Sequence, residues 1–362
     1  MKASADQAVD SASPPAATHQ THRALRDVRS HLRRSALKLL GYLVVAYLVL
    51  RLIPTLNEAL TSLKRVSWGW VAGAIALEVL SETGFVVAWR RIVDPDKVLQ
   101  ADGRGWRMDQ RVAWAQLGGG LLVPGGSLGG MGVGGWILHR FGMPTHQIAE
   151  RQLNLSFLNT GVDAIALILF GLGLAAGIFA GEGDLLLTLL PAAIAACGIA
   201  AALVIAPRAG PFASRLQAKH AKVARTITTL ADAVNDTRKL FHQGATTTVL
   251  GSVAYLGFDL LILWLALLAV HAHPSPGVAI VVMAYIIGAL GGSLPLPASI
   301  GTIGGIAGML VVYGVHHNPA VAAVLLHQAI GLLVPLAGGT IAYLIIRRQV
   351  GPLPIGAHHT SD

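Results

Sequence analysis

The chain has 362 residues, 54% of them hydrophobic and only 12% charged, with a mean hydropathy of +0.61. A soluble chain of this length can bury a core without such an apolar excess, so the surplus must face something other than water. The formal net charge of +9 does not point to nucleic acid, because the basic residues lie between apolar runs; anionic lipid headgroups account for them better.

In chain order, residues 1–22 are rich in Ala, Ser, Thr, Gln and Pro and lack apolar periodicity, which predicts disorder. Arg23, Arg26, Arg29, Arg33 and Arg34 follow, so 1–35 reads as a basic tail without the pattern of a signal peptide. Hydropathy then predicts spans at 36–53, 69–89, 153–179, 185–206, 246–270 and 319–346. The single cysteine, Cys197, lies in one of them and can form no intrachain disulfide. Two further apolar stretches, 112–138 and 278–312, are broken by Gly and Pro. Residues 349–362 form a short polar end.

Charge decides how these two broken stretches run. The Lys and Arg residues gather before residue 36, in 90–111, 139–152 and 207–245, and at Arg347 and Arg348. Only Lys64 and Arg65 fall in a loop of the opposite set, so the crowded set and both termini are expected in the cytoplasm. Each broken stretch then has flanking loops on one side only, and must enter the bilayer and return. The breaks are Pro124, Gly125 and Gly126 in the first, and Pro295 and Pro297 in the second. Halves of 12–17 residues are too short to cross comfortably, and exposed backbone at such breaks needs protein or water to satisfy it. The alternative is two pairs of short tilted helices that do cross. The order span, hairpin, span occurs twice, with Pro124 to Gly142 resembling Pro297 to Gly314. The expected fold is an all-α polytopic membrane protein: about six full spans plus two re-entrant half-helix hairpins, arranged as an inverted repeat.

The run Gly288-Ala289-Leu290-Gly291-Gly292-Ser293-Leu294-Pro295-Leu296-Pro297-Ala298-Ser299-Ile300-Gly301, with Tyr313-Gly314-Val315 and Ala320 to Gln328, is the most specific stretch. With Leu121 to Gly130, it resembles the lysylphosphatidylglycerol synthase transmembrane-region family, also called the flippase-like domain family, over about residues 36–348. The resemblance implies an inner- or plasma-membrane protein, some relatives of which move lipids between leaflets. No soluble domain follows Arg348 in this sequence, so aminoacyl transfer to lipid is not expected. Many relatives carry a Glu seven residues after the hairpin proline; Gly304 stands there, so no role of that carboxylate carries over.

Four acidic residues fall inside the predicted spans: Glu78, Glu82, Asp163 and Asp259. Charged groups there are costly and usually face the bundle interior. Glu78 and Glu82, four apart, share a helix face and form a candidate proton carrier. Asp163 ends the stripe Gln152, Ser156, Asn159, and Asp259 ends Thr248, Ser252, Tyr255. Such stripes either line a wetted cavity or join helices by hydrogen bonds. His327 and Gln328, in the outer half of the last span, are further candidates, as packed donors or as ligands. Arg90 and Arg91 read as interfacial anchors, whereas Arg140 and Arg151 could engage a lipid phosphate. The segment 207–245 spaces Leu216, Val223, Ile227, Leu230 and Val234 at helical intervals, which suits a surface-lying amphipathic helix.

Gly125 to Gly130 lacks the Lys-Ser/Thr of a phosphate-binding loop, and the pairs at 316–317 and 358–359 lack further metal ligands. No catalytic constellation stands out, so no enzyme activity, metal or cofactor is expected. The leading expectation is a phospholipid-handling or lipid-translocating protein of the cell membrane, acting on anionic or amino-acid-modified lipids. The alternatives are an ion-coupled small-solute transporter and a non-transporting scaffold.

Overall fold

The structure, a computed structural model, describes residues 66–103, 105–122, 127–179, 184–209, 245–272, 275–293 and 300–350, with a few positions between 228 and 235. The chain divides into two units, Met1–Glu58 and Ala59–Asp362, and the described residues all belong to the second. The candidate span 36–53, the breaks at Pro124, Gly125, Gly126, Pro295 and Pro297, both tails and most of 207–245 lie outside the described residues.

Nine α-helices are described: α1 (Trp68–Val93), α2 (Trp106–Leu122), α3 (Ser127–Arg140), α4 (Thr145–Ala175), α5 (Leu185–Ile205), α6 (Thr246–Ala269), α7 (Val278–Ala289), α8 (Ile300–Val312) and α9 (His317–Val350). Among the described residues five helical segments are long and apolar enough to cross a membrane: Trp68–Val93, Thr145–Ala175, Leu185–Arg208, Thr246–Ala269 and His317–Gln349. One predicted boundary moves further than the others. The span expected from 153 begins at Thr145, because the helix starts directly after Pro144, whose φ of −64° suits a helix entrance. His146, Glu150 and Arg151 had lowered the hydropathy of its first two turns.

The four shorter helices form two antiparallel pairs. In the first, a Cβ on Gly130 of α3 would lie 2.5 Å from the Gln116 carbonyl of α2. In the second, Gly288 of α7 lies against the backbone of Gly305 and Ile306 of α8, and Gly291 against Gly301. At 1.5 Å per residue these helices are about 18–26 Å long, short of the roughly 30 Å of a hydrocarbon core. Both pairs leave through the same turn. Gly142 (φ +94°) ends α3 and Gly314 (φ +91°) ends α8. The next amides reach back five residues, Met143 N to Leu138 O at 3.1 Å and Val315 N to Leu310 O at 3.0 Å. That left-handed closure favours glycine.

The long helices pack reciprocally. Ser67 N donates to Ala269 O at 3.1 Å, and Gly84 meets Gly251, so α1 and α6 run antiparallel. Helix α2 of the first half packs on α9, the last helix of the second, while α7 of the second half packs on α4, the last of the first. Gly118 lies against Pro335 and Gly339, near the middle of α9, so α2 ends about halfway along that helix. Helix α5 packs on α4 and turns Leu185, Leu186, Leu190, Ile194, Val204 and Ile205 outward. With Leu169 of α4, Leu333 of α9 and Leu250 of α6 also outward, this apolar exterior suits lipid rather than water.

The link between α1 and α2 is held by carboxylates. Asp94 accepts from Val98 N at 2.7 Å and from Leu99 N at 2.9 Å. Asp109 is 0% exposed. Its Oδ2 accepts from Gln100 Nε2 at 2.5 Å and lies 3.2 Å from Arg90 Nε, whereas Oδ1 has no partner among the described residues. Burial pushes this carboxyl up to about 6, helped by the nearby Asp94 charge and opposed by Gln100 and Arg90. A folded value above the ordinary 3.8 favours the protonated fold, so the contribution is complete at the acid end and is lost as pH rises through about 6. Asp109→Asn should therefore flatten the fall in thermal stability between about pH 4 and pH 7. Unfolding in detergent across that range tests this, and an unchanged slope would count against it.

Candidate functional site

The four acidic residues of the predicted spans, Glu78, Glu82, Asp163 and Asp259, converge at mid-bundle. Glu78 and Glu82 on α1, Asn159 and Asp163 on α4, and Tyr255 and Asp259 on α6 all lie within about three residues of their helix midpoints. Helices α4 and α6 turn their polar stripes toward each other. Between them is a cavity of about 210 Å³ lined by Asn159, Asp163, Ser252, Tyr255, Leu256, Asp259 and Tyr285.

Asp259 joins this cavity to α7 and α9. Its Oδ1 lies 2.9 Å from His327 Nε2, and its Oδ2 accepts a short hydrogen bond from the Tyr285 hydroxyl. The Tyr285 and His327 rings meet edge to face, 5.7 Å apart and at 75°. Outside the cavity lining, Glu78 is 4% and Glu82 3% exposed, and the two share one face of α1. Ser81, between them in sequence, donates to the Tyr255 carbonyl at 2.8 Å and holds α1 to α6. Three buried polar atoms here lack a hydrogen-bond partner among the described residues: Glu82 Oε2, Ser252 Oγ and His327 Nδ1.

The rest of the sequence candidates lie elsewhere. Gln152, the start of one stripe, is buried in a reciprocal amide pair with Gln116 (2.9 and 2.7 Å), whose Oε1 also accepts from Trp89 Nε1 at 2.8 Å. This network joins α1, α2 and α4 and is structural. Gln328 is half-buried and does not line the cavity. Arg151 is occupied by protein: its guanidinium lies 2.5 Å from Asp96 and donates to Val93 O at 3.2 Å. Arg140 ends α3 on an exposed face. Neither arginine lines the cavity. Tyr285 was not among the sequence candidates. Its only signal was a hydroxyl-bearing ring within the aliphatic run Val278–Ile287.

Long apolar helices, two short antiparallel helix pairs and a polar centre define a multi-pass helical membrane protein. The chain belongs to the family described as Lysylphosphatidylglycerol synthase TM region, whose family model matches residues 38–339. That match agrees with the resemblance carried by Leu121–Gly130 and Gly288–Gly301. No curated protein matches the chain.

Proposed function

We propose that this protein handles phospholipid and moves it between leaflets of the cell membrane, without making or breaking covalent bonds. The observation that carries the reading is the polar cavity between α4 and α6, at mid-depth in helices whose outer surface is apolar. A lipid headgroup would enter it while the acyl chains stayed in the surrounding hydrocarbon. In this reading the two short helix pairs are re-entrant hairpins and the two halves an inverted repeat. The antiparallel α1 and α6, and the exchanged packing of α2 on α9 and α7 on α4, support it. Both termini and the Arg-rich loops would be cytoplasmic, where they would concentrate anionic or amino-acid-modified lipid.

A second reading, an ion-coupled transporter of a small solute, is favoured by the cavity's modest volume of about 210 Å³ and its acidic lining. Purified protein in liposomes separates the two. Headgroup-labelled phospholipids should exchange between leaflets faster than in protein-free liposomes. Equal exchange with and without protein, across anionic, zwitterionic and aminoacylated headgroups, would refute lipid movement. Solute uptake under the same conditions would favour the second reading.

A further inference from the structure

The carboxyls at mid-bundle outnumber their positive partners. Among the described residues, the charged groups acting on Glu78, Glu82, Asp163 and Asp259 are one another and His327, with no Lys or Arg. Within that set, full ionisation would leave at least three negative charges uncompensated inside the hydrocarbon layer, where each is costly. Two counter-charges could relieve this, a metal cation or protons. Among the described residues no three His, Cys, Asp or Glu side chains are placed to hold a metal ion. The geometry instead suits protons. Glu78 and Glu82 are both buried and lie four apart on one face of α1, where two ionised carboxylates would repel each other, so a proton on one of them relieves the pair. Among the described residues Glu82 Oε2 and His327 Nδ1 are buried without a hydrogen-bond partner, so each offers a site for a proton.

We propose that Glu78, Glu82, Asp259 and His327 form a proton-binding site whose occupancy is felt by the adjoining cavity. Asp259 is the link, because it both lines the cavity and contacts His327. The groups facing it are Glu78 and Glu82 from α1, Asp163 from α4, Tyr255 from its own helix, Tyr285 from α7 and His327 from α9. Adding a proton to the cluster reduces the negative charge that the cavity presents to a bound headgroup. Transport would then be coupled to a proton gradient.

The proton site itself is testable without transport. Infrared spectra of the full-length protein in liposomes should contain a protonated-carboxyl band near neutral pH. The band should shift when glutamate is isotope-labelled in the wild-type protein, and should shrink in Glu82→Gln or Glu78→Gln. Absence of a glutamate-derived protonated band between about pH 6 and pH 8 would overturn the proposal, and the labelled wild type decides this even if a variant fails to fold.

The coupling step rests on the lipid-handling reading and has its own measurement. An imposed gradient of one pH unit should change the rate of leaflet exchange by up to about tenfold, while a matched sodium gradient should not. Exchange that proceeds at the same rate with and without the proton gradient would overturn the coupling and leave lipid handling standing. If no lipid moves under any condition, lipid handling fails and the infrared result alone decides the proton site.

Discussion

Asp259→Asn should slow leaflet exchange about ten- to hundredfold while leaving most of the protein folded. Asp259 holds His327 and Tyr285 with its two oxygens and contributes to the cavity wall. Asparagine keeps one acceptor oxygen but loses the charge and presents a donor where the other oxygen stood. Hydrogen bonds to a charged group are worth about 1.5–3 kcal/mol, which corresponds to that range of rates if the loss falls on transport. Neutral interhelical bonds in membranes average only about 0.6 kcal/mol, so stability should suffer less than rate. Elution of the variant as a monodisperse peak, together with its exchange rate, checks both halves. A normal rate would remove the cavity from the mechanism, and loss of folded protein would make Asp259 chiefly an interhelical tie.

Gly251→Leu should lower thermal stability and transport together. A Cβ at Gly251 would lie 2.8 Å from the Gly84 carbonyl oxygen and 2.9 Å from the Ala88 amide nitrogen, both backbone atoms that cannot swing aside. The helices α1 and α6 would have to part. The Ser81–Tyr255 bond and the Phe85–Tyr255 ring contact (centroids 5.4 Å apart) lie along the same seam. Overpacking of this kind costs about 1–3 kcal/mol, and here it would also move Glu82 relative to Asp259. Gly257→Ala on the same helix is the matched control, because nothing lies within 4 Å of its added Cβ. A lower midpoint for Gly251→Leu but not for Gly257→Ala, measured by thermal aggregation in detergent, is the expected result. Equal midpoints would mean that the seam yields more readily than its backbone contacts imply.

The sequence was most legible where chemistry repeats at a helix period. Asn159 with Asp163, and Ser252, Tyr255 with Asp259, stood out as parts of polar stripes in otherwise apolar spans, and these residues line one cavity. Spacing alone could not tell Gln152 from them, since its partner Gln116 lies on a different helix 36 positions away. Arg151 misled for the same reason: charge beside a membrane suggests phosphate, but Asp96 lies within reach only in the fold. Tyr285 was hidden because a 12-residue helix of Val, Ile, Ala and Met reads as packing, and its hydroxyl gains meaning only beside Asp259. Helix ends were blurred where charged residues continued a helix beyond the apolar core, as at the start of α4, which directly follows Pro144.

The depth of the acidic cluster carries an electrical consequence. Glu82 lies 14 residues beyond Trp68 on the 26-residue α1, about 21 Å along a helix of about 39 Å. A charge that crosses the whole membrane gains about 2.3 kcal/mol per 100 mV, so one that appears at this level gains about half as much. That is comparable to the effect of one pH unit. Membrane voltage would therefore bias the ionisation of these carboxyls about as strongly as the acidity of either compartment does, and the sign of that bias would depend on the side from which the charge arrives.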